Sequence, residues 1–115
     1  MPRHPGNKLK EFALSLPEAW LDHPWGEDVA KVGKKVFVFF GVSERFGMSV
    51  KLPKSSHYAT SMEGVEPTGY GLGKSGWVTV GRASMAKMPI AELREWILES
   101  YCAVAPKKLT KDLVL

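Results

Sequence analysis

Residues 27–52, EDVAKVGKKVFVFFGVSERFGMSVKL, constrain this chain more than any other stretch, because they set β-branched and aromatic runs on either side of a two-residue turn. Gly33-Lys34 separates EDVAKV from KVFVFF, and glycine takes positive φ at little cost, so a tight antiparallel hairpin is expected. A two-residue loop pairs Val32 with Lys35 and sets Ala30 opposite Phe37. Because side chains alternate along a strand, Ala30, Val32, Phe37 and Phe39 are expected on one face and Val29, Lys31, Val36 and Val38 on the other. A third strand over 48–52 then turns Met48, Val50 and Leu52 inward and leaves Ser49 and Lys51 beside Lys31. The second run is apolar on both sides, as in a central strand. The outer face is expected to be small, apolar and studded with lysine.

The flanking segments supply helices. Asn7 caps an expected helix over 8–16, with Leu9, Phe12, Ala13 and Leu16 as its buried stripe, and Pro17 ends it. Residues 17–26, PEAWLDHPWG, form a connector whose two tryptophans act either as a lid on the core or as a ligand platform. A short helix is expected from Ser56 to about residue 62 with Tyr58 and Met62 inward, followed by an irregular segment over 63–76 holding five glycines. Residues 77–82 alternate as a strand. Met88-Pro89 opens a long helix in which Ile90, Leu93, Ile97, Tyr101 and Val104 share one face, and Pro106 closes it ahead of a basic tail. The order α-β-β-β-α-(β)-β-α describes an α+β, two-layer fold, an antiparallel sheet with helices on one face.

Length and composition narrow the function classes. A chain of 115 residues is expected to be a single domain spanning 1–115, able to bury a core without metal or disulfide. It holds no apolar run of the roughly 20 residues a membrane span needs, and its first ten residues lack the apolar core of a signal peptide. One cysteine, Cys102, excludes an internal disulfide and fits a reducing, cytoplasmic setting. A net charge of +4 admits nucleic acid as a partner.

Several short patterns, in order, carry a family resemblance: Pro24-Trp25-Gly26-Glu27-Asp28 before the first strand, Gly33-Lys34-Lys35-Val36-Phe37 at the hairpin, Val50-Lys51-Leu52, Lys74 followed by Trp77-Val78-Thr79-Val80, Ser100-Tyr101, and Pro106-Lys107-Lys108. With these the chain resembles the MmcQ/YjbR-like proteins over nearly its whole length. The resemblance implies a two-layer α/β fold like that of YjbR and of secretion chaperones, and a DNA-binding role. Many members carry a histidine just before the tryptophan where this chain has Gly76, and a longer polar stretch where it has KLPKSS.

No catalytic constellation stands out, and a non-enzymatic protein with no cofactor is expected. His4, His23 and His57 are scattered; Asp22-His23 can orient a base but is more commonly a surface pair. Cys102 reads as a small hydrophobe, and one cysteine with three dispersed histidines makes no zinc site. Residues 69–75, GYGLGKS, imitate a phosphate loop, but Thr68 stands where the first glycine belongs and a strand follows instead of a helix, so the Walker reading fails. Two binding readings remain. In one, Lys31, Lys51, Lys54, Lys74, Arg82, Lys107 and Lys108 neutralise phosphates with low sequence specificity, and Trp77 offers a stacking surface. In the other, Val29, Val36 and Val38 form an apolar strip that docks a protein partner or a second copy.

Overall fold

The structure, a computed structural model, describes residues 6–22, 28–40, 46–68 and 72–111. Among them the chain runs α1 (Gly6–Leu14), β1 (Ala19–Asp22), β2 (Asp28–Val32), β3 (Lys35–Phe40), β4 (Phe46–Lys51), α2 (Ser56–Thr60), β5 (Val65–Pro67), a 3-10 turn (Leu72–Ser75), β6 (Trp77–Gly81), α3 (Arg82–Lys87), α4 (Ile90–Val104) and α5 (Lys107–Thr110). The strands make a six-stranded sheet of order β1-β2-β3-β4-β6-β5, antiparallel throughout. Leu9 of α1, Ala59 of α2, Met85 of α3 and Leu93, Trp96, Ile97 and Tyr101 of α4 join the buried sheet residues in one apolar cluster. The α+β class and the one-sided helix layer are as the sequence implies.

The bracketed strand of the expected order is β5, while β1, the 3-10 turn and α3 are additions to it. The tryptophan connector contains β1, which pairs Ala19 with Val32 and Trp20 with Lys31 along the outer side of β2. The glycine-rich segment contributes β5 and the 3-10 turn, and α3 intervenes between β6 and α4. Within α2 the inward residue is Ala59; Tyr58 is 58% exposed and not part of the core. The first helix starts at Gly6, so Asn7 lies within it and not at its cap, and the helix ends at Leu14, two residues before Leu16.

The hairpin forms as its turn requires, with Gly33 at φ +62, Val32 paired with Lys35 and Lys31 with Val36. Its register then breaks. Ala30 pairs with Val38, not Phe37, because a bulge lies between Ala30 and Lys31 and leaves Phe37 as the extra residue of β3. A bulge lets two successive side chains point the same way. Phe37, Val38 and Phe40 therefore all enter the core, while Phe39 moves to the outer face and meets the Trp77 ring edge-on at 5.4 Å. The apolar strip expected of Val29, Val36 and Val38 is accordingly absent: Val38 lies in the core, Val29 is fully buried, and only Val36 is partly open. Alternation alone cannot fix register in KVFVFF, where either face of the strand is apolar.

The bulge also disturbs the β3–β4 ladder, and α4 repairs it. Beyond the Val38–Val50 pair the next partners are Phe37 and Lys51, and the buried Ser100 hydroxyl sits between them, accepting from the Lys51 N–H at 2.8 Å and donating to the Phe37 carbonyl. Both backbone groups are thereby satisfied inside the core. Next to it, the Tyr101 ring packs edge-on against Phe37 at 5.3 Å, and its hydroxyl donates to the Pro17 carbonyl at 2.7 Å. Ser100-Tyr101 thus joins the helix layer to the irregular point of the sheet.

Candidate nucleic-acid interface

The outer face of the sheet draws residues from β1, β2, β3, β4 and β6, alternating along each strand except where the bulge interrupts β3. Cross-strand pairing puts Trp20 and Asp22 of β1, Lys31 of β2, Val36 and Phe39 of β3, Ser49 and Lys51 of β4 and Trp77 and Thr79 of β6 on that side. Toward the β5 edge, Ser49, Thr79 and Thr68 form a row of hydroxyls linked at 2.9 and 3.0 Å. Hydroxyl pairs of this kind are a normal way to stabilise neighbouring strands.

At the hairpin end the face becomes cationic around one indole. Trp20 Nε1–H donates to the Gly33 carbonyl at 3.0 Å, which holds the ring against the β2–β3 turn. Lys31 Nζ lies 5.3 Å from the centroid of that ring and 2.9 Å from Asp22 Oδ2. Lys34 and Lys35 follow directly and are exposed. The result is an ordered tryptophan, 45% exposed, with Lys31 at its ring and Lys34 exposed at the adjoining turn; Lys35, paired with the core residue Val32, is exposed at the same tip but on the helix side of the sheet.

The sequence-derived candidates are only partly brought together. Lys31 belongs to this cluster, although its charge is shared with Asp22. Lys51 is half-buried and stands opposite Trp77 in the β4–β6 register. Trp77, expected as a stacking surface, is only 8% exposed, because its ring packs on Phe39. Lys74 is exposed on the 3-10 turn, and Lys107 and Lys108 are exposed on α5, each on a separate element from the hairpin. Arg82 opens α3, with its side chain outside the described ones. Lys54 is exposed beside a groove of about 430 Å³ that is lined also by Glu99 and Cys102. Of the two connector readings, lid or platform, the exposure of Trp20 speaks against a lid; Lys34 and Lys35 were not among the candidates, though a lysine in a two-residue turn and one beside it are readily solvent-facing.

Acidic residues collect elsewhere. Glu99 accepts from the Lys54 and Ser55 N–H groups at 2.9 and 3.1 Å and from the Ser55 hydroxyl at 2.7 Å, tying the start of α2 to α4. Glu92, Glu95 and Glu99 line a groove of about 490 Å³ with Tyr58, whose hydroxyl is held above the ordinary tyrosine pKa by the Glu92 charge and a hydrogen bond to that carboxylate. Because α2 packs on β5 and β6, this acidic side lies toward the opposite edge of the sheet from β1.

The groups considered for chemistry are dispersed. His4 and His23 lie outside the described residues, so the Asp22-His23 pairing does too, and His57 is exposed on α2. Burial pushes the Cys102 thiol above its usual pKa, against a smaller opposing pull from Lys54. Among the described residues no three His, Cys, Asp or Glu side chains are grouped to hold a metal, and no helix is long and apolar enough to cross a membrane. In the phosphate-loop look-alike, the 3-10 turn leads straight into β6, and Gly76 takes φ +91 where a Cβ would stand 3.1 Å from the Leu52 carbonyl oxygen. That glycine serves close backbone approach, with its own carbonyl accepting from the Leu52 N–H at 2.8 Å.

A two-layer α+β domain with a basic hairpin on its open sheet face is the class these features define. The chain belongs to the YjbR family, whose family model, described as YjbR, matches residues 14–103, from the end of α1 to near the end of α4. No curated protein and no solved structure matches it.

Proposed function

We propose that this protein acts by binding rather than by catalysis, as a cytoplasmic nucleic-acid-binding protein that holds DNA through phosphate contacts with low sequence specificity. The observation that carries the reading is the separation of charge. Lys34, Lys35, Lys74, Lys107 and Lys108 are exposed and make no ion pair among the described residues, whereas Asp22 and Asp28 are engaged by Lys31 and Lys10 and the α4 glutamates gather around α2. Each lysine that meets a phosphate releases condensed counterions, which favours binding to any sequence. Phosphate contacts of this kind carry no sequence information, so affinity follows charge.

The test is the salt dependence of binding to a labelled DNA duplex, followed by fluorescence anisotropy. Affinity is expected to fall steeply between about 50 and 200 mM salt, by a power that counts the phosphates neutralised. A complex that holds unchanged across that range defeats the reading.

One observation favours a protein-interaction module instead. Tyr58, 58% exposed, sits over the acidic Glu92-Glu95-Glu99 groove, a surface suited to a basic peptide. Such a complex also weakens with salt, but charge reversal at Lys34 and Lys35 leaves it intact.

A further inference from the structure

We infer that Trp20 is a stacking platform for an unpaired base and that the hairpin lysines hold the phosphates on either side of it, so that the protein prefers single-stranded nucleic acid to duplex. The inference rests on the nucleic-acid reading above and specifies the form of ligand.

Trp20 is one of two large hydrophobic residues exposed among those described, at 45%, and it lies outside the core cluster, so core packing does not account for it. Yet its ring is held in place. The Nε1–H bond to the Gly33 carbonyl at 3.0 Å fixes its tilt, and Lys31 sits 5.3 Å from its centroid, itself pinned by Asp22 at 2.9 Å. A ring ordered before binding loses little further freedom when a base arrives. Lys34 is exposed at the turn directly after Gly33 and offers a second cation next to the platform, while Lys35, exposed but paired with the core-facing Val32, lies at the same hairpin tip on the other face.

The geometry discriminates between nucleic-acid forms. Bases inside a duplex are stacked on one another and present no face to an indole, whereas an unpaired base can leave its neighbours and lie on an aromatic ring. Trp77 offers no competing platform, since it is 8% exposed and closed by Phe39. A free nucleotide carries the same pairing of base and phosphate, but it engages one phosphate where a strand engages several.

The experiment compares binding of the full chain to a short oligothymidylate, to a duplex of the same length and to thymidine monophosphate at low salt. The strand is expected to bind roughly tenfold tighter than the duplex, with quenching of tryptophan fluorescence, and much tighter than the nucleotide. Trp20→Leu is expected to lose about tenfold in strand affinity with duplex affinity unchanged, and Trp20→Phe to retain part of it. Circular dichroism checks that both variants fold, and the comparison on the unsubstituted chain stands without them. Duplex binding equal to or tighter than strand binding, undiminished strand binding by Trp20→Leu, or a nucleotide that binds as well as the strand each overturns the inference while leaving the phosphate reading in place. Failure of strand and duplex alike to bind at low salt overturns both.

Discussion

Ser100 shows how much of this fold depends on a single buried hydroxyl. It is fully buried and bridges the Lys51 N–H and the Phe37 carbonyl, groups that the bulge has pulled out of direct pairing. Ser100→Ala leaves both without a partner in an apolar setting, and the expected cost is about 1–3 kcal/mol by denaturant unfolding. Tyr101 beside it is held above its ordinary pKa of 10.0, chiefly by burial and then by Cys102 and Glu18. A raised folded pKa means that the neutral phenol's contribution is fully present below pH 10 and is lost as pH rises through the folded value. Stability is therefore expected to fall at strongly alkaline pH, and Tyr101→Phe, which also removes the bond to Pro17, is expected to flatten that fall while costing about 1 kcal/mol at neutral pH. The sequence marks these two residues as an adjacent pair on a helix, but it gives no sign that the first of them repairs a sheet, because the need arises only from the bulge.

At the level of elements, the turn was legible and the register was not. Gly33-Lys34 dictates a tight hairpin by backbone freedom alone, and the Val32–Lys35 pair follows from it. Gly33 has nothing within 4 Å of where a Cβ would stand, so Gly33→Ala tests conformation without a clash. Its expected cost is roughly 1–2 kcal/mol, the penalty for an L-residue in the left-handed region, with Gly33→Asn costing less, both read from thermal or denaturant unfolding. The register two residues away was hidden because Phe37, Val38, Phe39 and Phe40 are all apolar, and burial of three of them on the helix side outweighed strict alternation. Strand β1 was hidden for a different reason: it is four residues long, lies just after Pro17, and gains its identity only from pairing with β2. By contrast the long amphipathic helix was plain from its spacing, and Leu93, Ile97 and Tyr101 are buried as their positions require.

Across the whole molecule, charge is the feature that composition understates. A net charge of +4 looks mild, and residues 27–52 carry five positive charges against three negative ones. Folding sorts them: aspartates pair with Lys31 and Lys10, the α4 glutamates face α2, and Lys34 and Lys35, exposed at the hairpin tip, make no ion pair among the described residues. In the sequence, cations stand as the expected means of binding, with positions chosen by strand face, which favoured Lys51 and Trp77 over the turn lysines and Trp20. Trp77 is closed by Phe39, a contact that exists only because the bulge turns Phe39 outward.

The most direct measurement is an amide chemical-shift titration of the full chain with a short oligonucleotide at low salt. The account predicts that the largest shifts fall on the hairpin tip around Gly33, Lys34 and Lys35 and on β1 at Trp20, and that Lys34→Glu combined with Lys35→Glu lowers affinity about tenfold or more through loss and reversal of phosphate contacts. Shifts centred on α4 around Glu92 and Glu95 with the hairpin tip unmoved, or full affinity in the charge-reversed variant, would contradict it.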